Sequence, residues 1–162
     1  GEEAREVIEK ILPYVDVFFC SEDTARLTFG KTGDVKEMMK SFTKDYPVSI
    51  VASTQRVVHS PKVHDFGSII YNAYQDEYYT EKPYTSIDVV DRIGSGDAYI
   101  AGALYGLLHY RLDCSKAIAY GNAYSAVKNT IPGDVPSSNR SDIDNIIADH
   151  NMEGGYRSEM NR

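Results

Sequence analysis

Val89-Val90-Asp91-Arg92-Ile93-Gly94-Ser95-Gly96-Asp97-Ala98 joins a strand-like lead-in, a glycine-rich turn and the start of a long helix without a break. Glycines let such a turn point consecutive N–H groups into one cavity, and the helix that follows adds the positive end of its dipole there. This is an anion site, suited to a phosphate in transfer. Asp97 stands in the first turn of the helix and has two readings. It is either a first-turn acid stabilised by the dipole, at about 0.3–1 kcal/mol, or a general base for an acceptor hydroxyl held beside the anion hole. Two other phosphate-binding patterns fail on spacing. A dinucleotide fingerprint needs a third glycine where Tyr99 stands, and no GKS or GKT follows a suitably spaced glycine.

Outward from this stretch, Asp97 to Tyr110 reads as a helix whose Ala101, Gly102, Ala103 and Gly106 allow close packing. Cys114 to Lys128 is a second small-residue helix, and Ser141 to about Asp149 a last one, after a turn at Pro132-Gly133. Towards the amino end, Ala4, Val7, Ile8, Ile11 and Leu12 recur at helical spacing until Pro13. Val15 to Cys20 is a short buried strand, Ser21 an N-cap, and Asp34 the cap of a helix bearing Val35, Met38, Met39 and Phe42. The apolar run Val48 to Ser53 suits the interior of a parallel sheet, which is covered on both faces. Arg56 to His59, Ser68 to Ala73 and Glu77 to Thr80 are short, tyrosine-rich and separated by polar turns, so they read as antiparallel edge strands. Strands alternating with helices predict an α/β fold with a mainly parallel sheet. Without repeats or linkers, residues 1–162 form one domain.

A chain of 162 residues that is 42% hydrophobic and 25% charged is long and apolar enough to bury a core. Its net charge of −7, with Lys and Arg scattered, disfavours nucleic acid or anionic membrane as a partner. Cys20 and Cys114 have neither CxxC nor Cys/His spacing, which argues against a zinc site or a disulfide framework and for a reducing cytoplasm. No apolar run approaches the roughly 20 residues of a membrane span. His59, His64, His109 and His150 show no paired spacing for a metal, and no metal ligand is assigned. Tyr71, Tyr74, Tyr78, Tyr79 and Tyr84 suit a sheet face or a subunit contact better than a stacking array. The chain opens at Gly1 directly on a helical stretch, so a fragment is expected.

The segment DRIGSGDAYIAG resembles the carboxyl-terminal signature of the ribokinase-like (PfkB) carbohydrate kinases. The resemblance implies a three-layer αβα fold, an anion hole formed by Gly94, Ser95 and Gly96, and Asp97 as catalytic base. It places Asp91 where it supports the loop or a nearby monovalent cation. The Asp-Arg-Ile lead-in, Thr54-Gln55-Arg56 after a strand, Pro132-Gly133-Asp134 and the tail Gly154-Gly155-Tyr156-Arg157 are most similar to members that phosphorylate the keto-deoxy sugar acid 2-dehydro-3-deoxy-D-gluconate, using ATP and magnesium. Asn122 matches a position near the nucleotide and reads equally as an interior polar residue bonded to a neighbouring carbonyl. The loop from Lys128 to Pro136 resembles one that borders adenine. Thr54 and Arg56 follow a strand at the edge where open α/β sheets bind ligands, and Arg56 could meet a phosphate or a substrate carboxylate as a bidentate donor, or simply face solvent.

The pattern departs from the family at one place. Members commonly carry N-x-x-E where this chain has Ser21 and Thr24, so the outer-sphere contribution to magnesium falls to Glu22 or Asp23, which are equally first-turn acids. The resemblance covers only the second half of the family's fold; the amino-terminal strands, a Gly-Gly sugar motif and a β-lid are missing, so the fragment itself is expected to be inactive. Removing half of a sheet exposes edges that favour a homo-oligomer. Rival readings are a kinase of a ketohexose or nucleoside, and a non-catalytic nucleotide-binding or assembly module.

Overall fold

The computed structural model describes residues 2–152, so the tail Gly154 to Arg157 lies outside the described residues. Helix α1 (Glu2–Ile11) runs into a 3₁₀ turn (Leu12–Tyr14) set by Pro13, and strand β1 (Val17–Phe19) follows. Next come α2 (Glu22–Leu27), α3 (Val35–Asp45) and β2 (Ile50–Ser60). Asp34 accepts the Glu37 N–H at 2.9 Å while Glu37 accepts the Asp34 N–H at 2.9 Å, a reciprocal cap that fixes the start of α3. Strands β3 (Val63–Asn72), β4 (Glu77–Thr80) and β5 (Tyr84–Asp88) precede α4 (Ser95–His109), α5 (Cys114–Asn129) and α6 (Arg140–Asn151). Asn139 and Asp142 repeat the reciprocal cap, starting α6 just ahead of the expected Ser141.

The three-layer αβα arrangement is present, but the sheet is mixed. Its order is β1-β2-β3-β4, with β5 also on β3; among the described residues β1–β2 is parallel and the β2–β3, β3–β4 and β3–β5 ladders are antiparallel. The lengths of the connections explain this. A parallel return needs a dozen or more residues, which α2 and α3 supply between β1 and β2. Only Pro61 and Lys62 join β2 to β3, and only residues 73–76 join β3 to β4, so those strands can only fold back, while β5 follows β4 in the same direction along β3. The expected separate strands at Val48 to Ser53 and Arg56 to His59 are one long β2. No glycine or proline breaks the chain between Ser53 and Arg56; what changes there is burial, from buried to exposed, and not extension.

Period-two alternation along β2 and β3 divides the core. Val51, Ile69 and Tyr71 face Leu12 of the 3₁₀ turn and Met38, Met39 and Phe42 of α3. Ile50, Ala52, Phe66 and Ile70 face Tyr99, Ala103, Leu107, Ala117 and Ile118 from α4 and α5. The second helix pair approaches very closely: a Cβ on Gly106 would lie 2.6 Å from the Ala117 backbone. Helix α6 packs outside α5 through Ile143 against Tyr120 and Ala123. Among the described residues no helix is long and apolar enough to cross a membrane.

Candidate active site

The quoted stretch leaves β5, turns, and becomes α4. Gly94 is the N-cap with φ of 76°, and a Cβ there would lie 2.1 Å from the Asp134 carbonyl oxygen, so both the backbone angle and the neighbouring loop require glycine. The first bond of the helix ladder runs from Ala98 N–H to Gly94 C=O at 2.8 Å. The Gly96 and Asp97 N–H groups therefore stand ahead of the ladder, at the positive end of the dipole. Ser95 differs: its N–H donates to the Arg92 carbonyl at 3.1 Å. Its hydroxyl accepts from Asn129 Nδ2 at 3.0 Å and bonds Ser125 Oγ at 2.8 Å. The N–H groups left free at the helix start are thus those of Gly96 and Asp97, and Ser95 is the anchor that ties the turn to α5. Nothing lies within 4 Å of the place a Gly96 Cβ would take, so this side of the turn is open. Asp97 is exposed at the same helix start.

An open cleft of about 760 Å³ lies in front of this turn. Ser95, Gly96 and Arg92 line one side, Thr54 and Arg56 of β2 another, and Ser21, Glu22 and Asp23 at the start of α2 a third. The sheet accounts for the meeting: β1 and β2 run parallel, so the chain leaving β1 and the middle of β2 arrive at one end. Arg56 and Arg92 have no ion-pair partner among the described residues, so two guanidinium groups give the cleft positive walls.

Asp91 holds the turn from behind. Its carboxylate accepts Ile93 N–H at 3.0 Å and Gly133 N–H at 3.1 Å, joining the turn before α4 to the Pro132-Gly133 turn after α5. These two amides, with Lys128 nearby, hold the carboxyl below the ordinary carboxylate range. Asn122, expected near the nucleotide, is 0% exposed and lies away from the cleft. It accepts from Ser68 Oγ at 2.7 Å and donates to Glu81 at 2.7 Å, which makes it a strut between α5 and the sheet. Burial in turn raises the Glu81 carboxyl above its usual range.

The profile of the pfkB family carbohydrate kinases matches residues 1–140. The chain belongs to this family. It is similar to a 2-dehydro-3-deoxygalactonokinase of Haloferax volcanii, 28% identical over 145 residues that make up 90% of this chain and 42% of that protein. A crystal structure of 2-dehydro-3-deoxygluconokinase from Thermotoga maritima matches at a TM-score of 0.83 and 25% identity, over 90% of this chain and 45% of that one. A pfkB family carbohydrate kinase from Listeria grayi gives 0.82 and 25%, over 91% and 45%. The chain spans less than half the length of the kinases it matches.

Within the pfkB frame the departure at Ser21 and Thr24 has a structural meaning. Ser21 Oγ accepts Thr24 N–H at 3.1 Å and bonds Thr24 Oγ at 2.8 Å, so the two residues cap α2. Glu22 is engaged by Arg26 at 2.7 Å. Asp23 is then the acid at this edge with no ion-pair partner among the described residues. No group of three or more His, Cys, Asp or Glu side chains is gathered as a metal site among the described residues. Arg92, Ser125 and Asn129 were not singled out by the sequence, and Lys128 only as the start of the loop compared with one that borders adenine. Arg92 sits inside the motif and was legible as a cation beside an anion turn. The other three lie on α5, and their only local signal is a polar cluster ending an otherwise small-residue helix.

Proposed function

We propose that this chain is the nucleotide side and the base side of an ATP-dependent sugar kinase whose acceptor is a keto-deoxy sugar acid of the 2-dehydro-3-deoxygluconate class. The observation that carries the reading is the cleft lined together by the open start of α4, at Gly96, and by Arg56 and Arg92. Asp97 takes the proton of the acceptor hydroxyl as that oxygen bonds to the γ-phosphorus and the bond to the ADP oxygen breaks. The Gly96 and Asp97 amides stabilise charge on the transferred phosphoryl, and the guanidinium groups of Arg56 and Arg92 receive the remaining phosphate or sugar-acid charge. Thr54 borders the same phosphates, while Asp91 keeps the turn in shape. Magnesium arriving on the nucleotide would screen its phosphate oxygens, with Asp23 as the acid facing it.

The acceptor class is supported by the sugar-acid kinases among the similar proteins and by the two arginines, which suit a carboxylate. The test is Asp97→Ala in the kinase at its full natural length, with ADP binding followed by calorimetry and turnover by ADP release over a panel of sugar acids, ketohexoses and nucleosides. Turnover is expected to fall about 100- to 10,000-fold with ADP binding retained. Unchanged turnover would sink the base assignment, and faster turnover of a nucleoside would sink the acceptor class. A second reading, a non-catalytic nucleotide-binding module, draws on the capping of α2 by Ser21 and Thr24 in place of an acid. ADP binding without turnover of any acceptor by the full-length protein would favour it.

A further inference from the structure

Beneath the anion turn lies a buried cation that the kinase reading does not use. Lys128, in the last turn of α5, is 0% exposed. Its Nζ donates to the Asp91 carbonyl at 3.0 Å and to the Ile131 carbonyl at 3.1 Å. No carboxylate lies within ion-pair distance of it among the described residues. An ammonium buried in this way is costly unless it is compensated, and here the compensation is two backbone dipoles, with the Asp91 carboxylate attracting from farther off. The two carbonyls belong to the two loops that the Asp91 carboxylate also joins. Positive charge from Lys128 and negative charge from Asp91 therefore clamp the same pair of loops, and the Asp134 backbone on the second loop presses against Gly94 on the first.

Converging backbone carbonyls next to a carboxylate are the ligands a hard metal cation takes. At the place where a monovalent cation is expected beside Asp91, the Asp91 and Ile131 carbonyls accept from the Lys128 ammonium. We infer that Lys128 is the resident cation of the anion turn, a positioning residue that holds the Gly96 and Asp97 amides towards phosphate with no need of K⁺ or Na⁺. This deepens the kinase reading and rests on its assignment of the anion site.

The test compares ADP binding to the chain in potassium chloride and in tetramethylammonium chloride at equal ionic strength, together with anomalous density from rubidium-soaked crystals. Wild type is expected to bind ADP equally in both salts and to show no rubidium between the Asp91 and Ile131 carbonyls. Lys128→Met, similar in length without the charge, should bind ADP about 10- to 100-fold more weakly in either salt, the usual worth of a group that orients a site from behind. Lys128→Ala should recover affinity in potassium but not in tetramethylammonium, and should bind rubidium where the ammonium was; a merely structural lysine would give no such ion-selective rescue. Potassium-dependent binding by wild type, rubidium at this place in wild type, or a Lys128→Met chain that binds ADP as wild type does would each overturn the inference. Should both variants fail to fold, the two wild-type measurements decide it. Absence of ADP binding in both salts counts against the kinase reading, and the rubidium positions in wild type still judge Lys128.

Discussion

On one face of the sheet Phe18, Phe29 and Phe42 meet edge to face at centroid separations of 5.0–5.9 Å, joined by Leu12, Met38 and Met39. The other face is covered by Ala103, Ala117 and Gly106, which bring two helices into backbone contact, and behind them by Ser68, Asn122, Ser125, Lys128 and Asn129, all buried and polar. The first face gains stability from apolar area and interlocking rings. The second gives a fixed placement, since close helices and directed hydrogen bonds tolerate little displacement. The cleft opens at the end of the second face, so the precise layer is the one that carries the glycine turn before α4 and the bulky layer supports it.

The contrast can be broken by substitution. Phe42→Ala, at a residue 1% exposed, should cost about 3–5 kcal/mol in chemical denaturation. Binding of ADP by the folded fraction should stay unchanged; a matching loss of affinity would erase the distinction between the faces. Gly106→Val drives a branched side chain into the Ala117 backbone and should cost about 1–3 kcal/mol, with a loss of ADP affinity because α4 is displaced. A melting temperature equal to wild type would show that the helices can separate freely.

Asn129→Ala removes the donor to Ser95 Oγ and to the Ser125 carbonyl, at about 1–3 kcal/mol for buried groups left unpaired. Here ADP affinity should fall further than it does for Phe42→Ala, although the loss of stability is smaller. The smallest effect is a pH dependence. The Asp91 carboxyl is held below its ordinary value of 3.8 in the folded chain. Its stabilisation is therefore complete above that value and is lost as pH falls through the lowered folded one. Acid titration of the Ile93 and Gly133 amide signals should report a midpoint below 3.8, and Asp91→Asn should abolish the titration. A midpoint above 3.8 would mean that the two N–H groups do not favour the charged form.

Much of this was legible in local patterns. Asp34 announced a helix start, and the run from Asp91 to Ala98 announced a turn feeding a helix, because each rests on interactions within a few residues. The mixed sheet was legible too, had the two-residue link at Pro61-Lys62 been weighed against the length a parallel return needs. The role of Lys128 was not legible. A lysine ending a helix is by default a solvated charge favourable to the dipole, and its burial depends on Asp91, which sits on a different element. Asn122 was ambiguous for the same reason: Ser68, on β3, and Glu81, in the link between β4 and β5, are both distant from it in sequence. The fold was written in neighbours along the chain, whereas the supports of the site come from neighbours in space.

Strands β4 and β5 lie along one side of β3, four and five residues long, covering Ile69 to Asn72 and Val63 to Phe66. Between them passes Glu81-Lys82-Pro83, with Pro83 against Gly67 and no amide hydrogen of its own to offer. The outer margin on this side is thus cut into two short pieces around a proline. An incoming strand finds no continuous row of donors and acceptors to copy, which guards a tyrosine-rich hairpin against templated aggregation at a border where it would otherwise be prone to it.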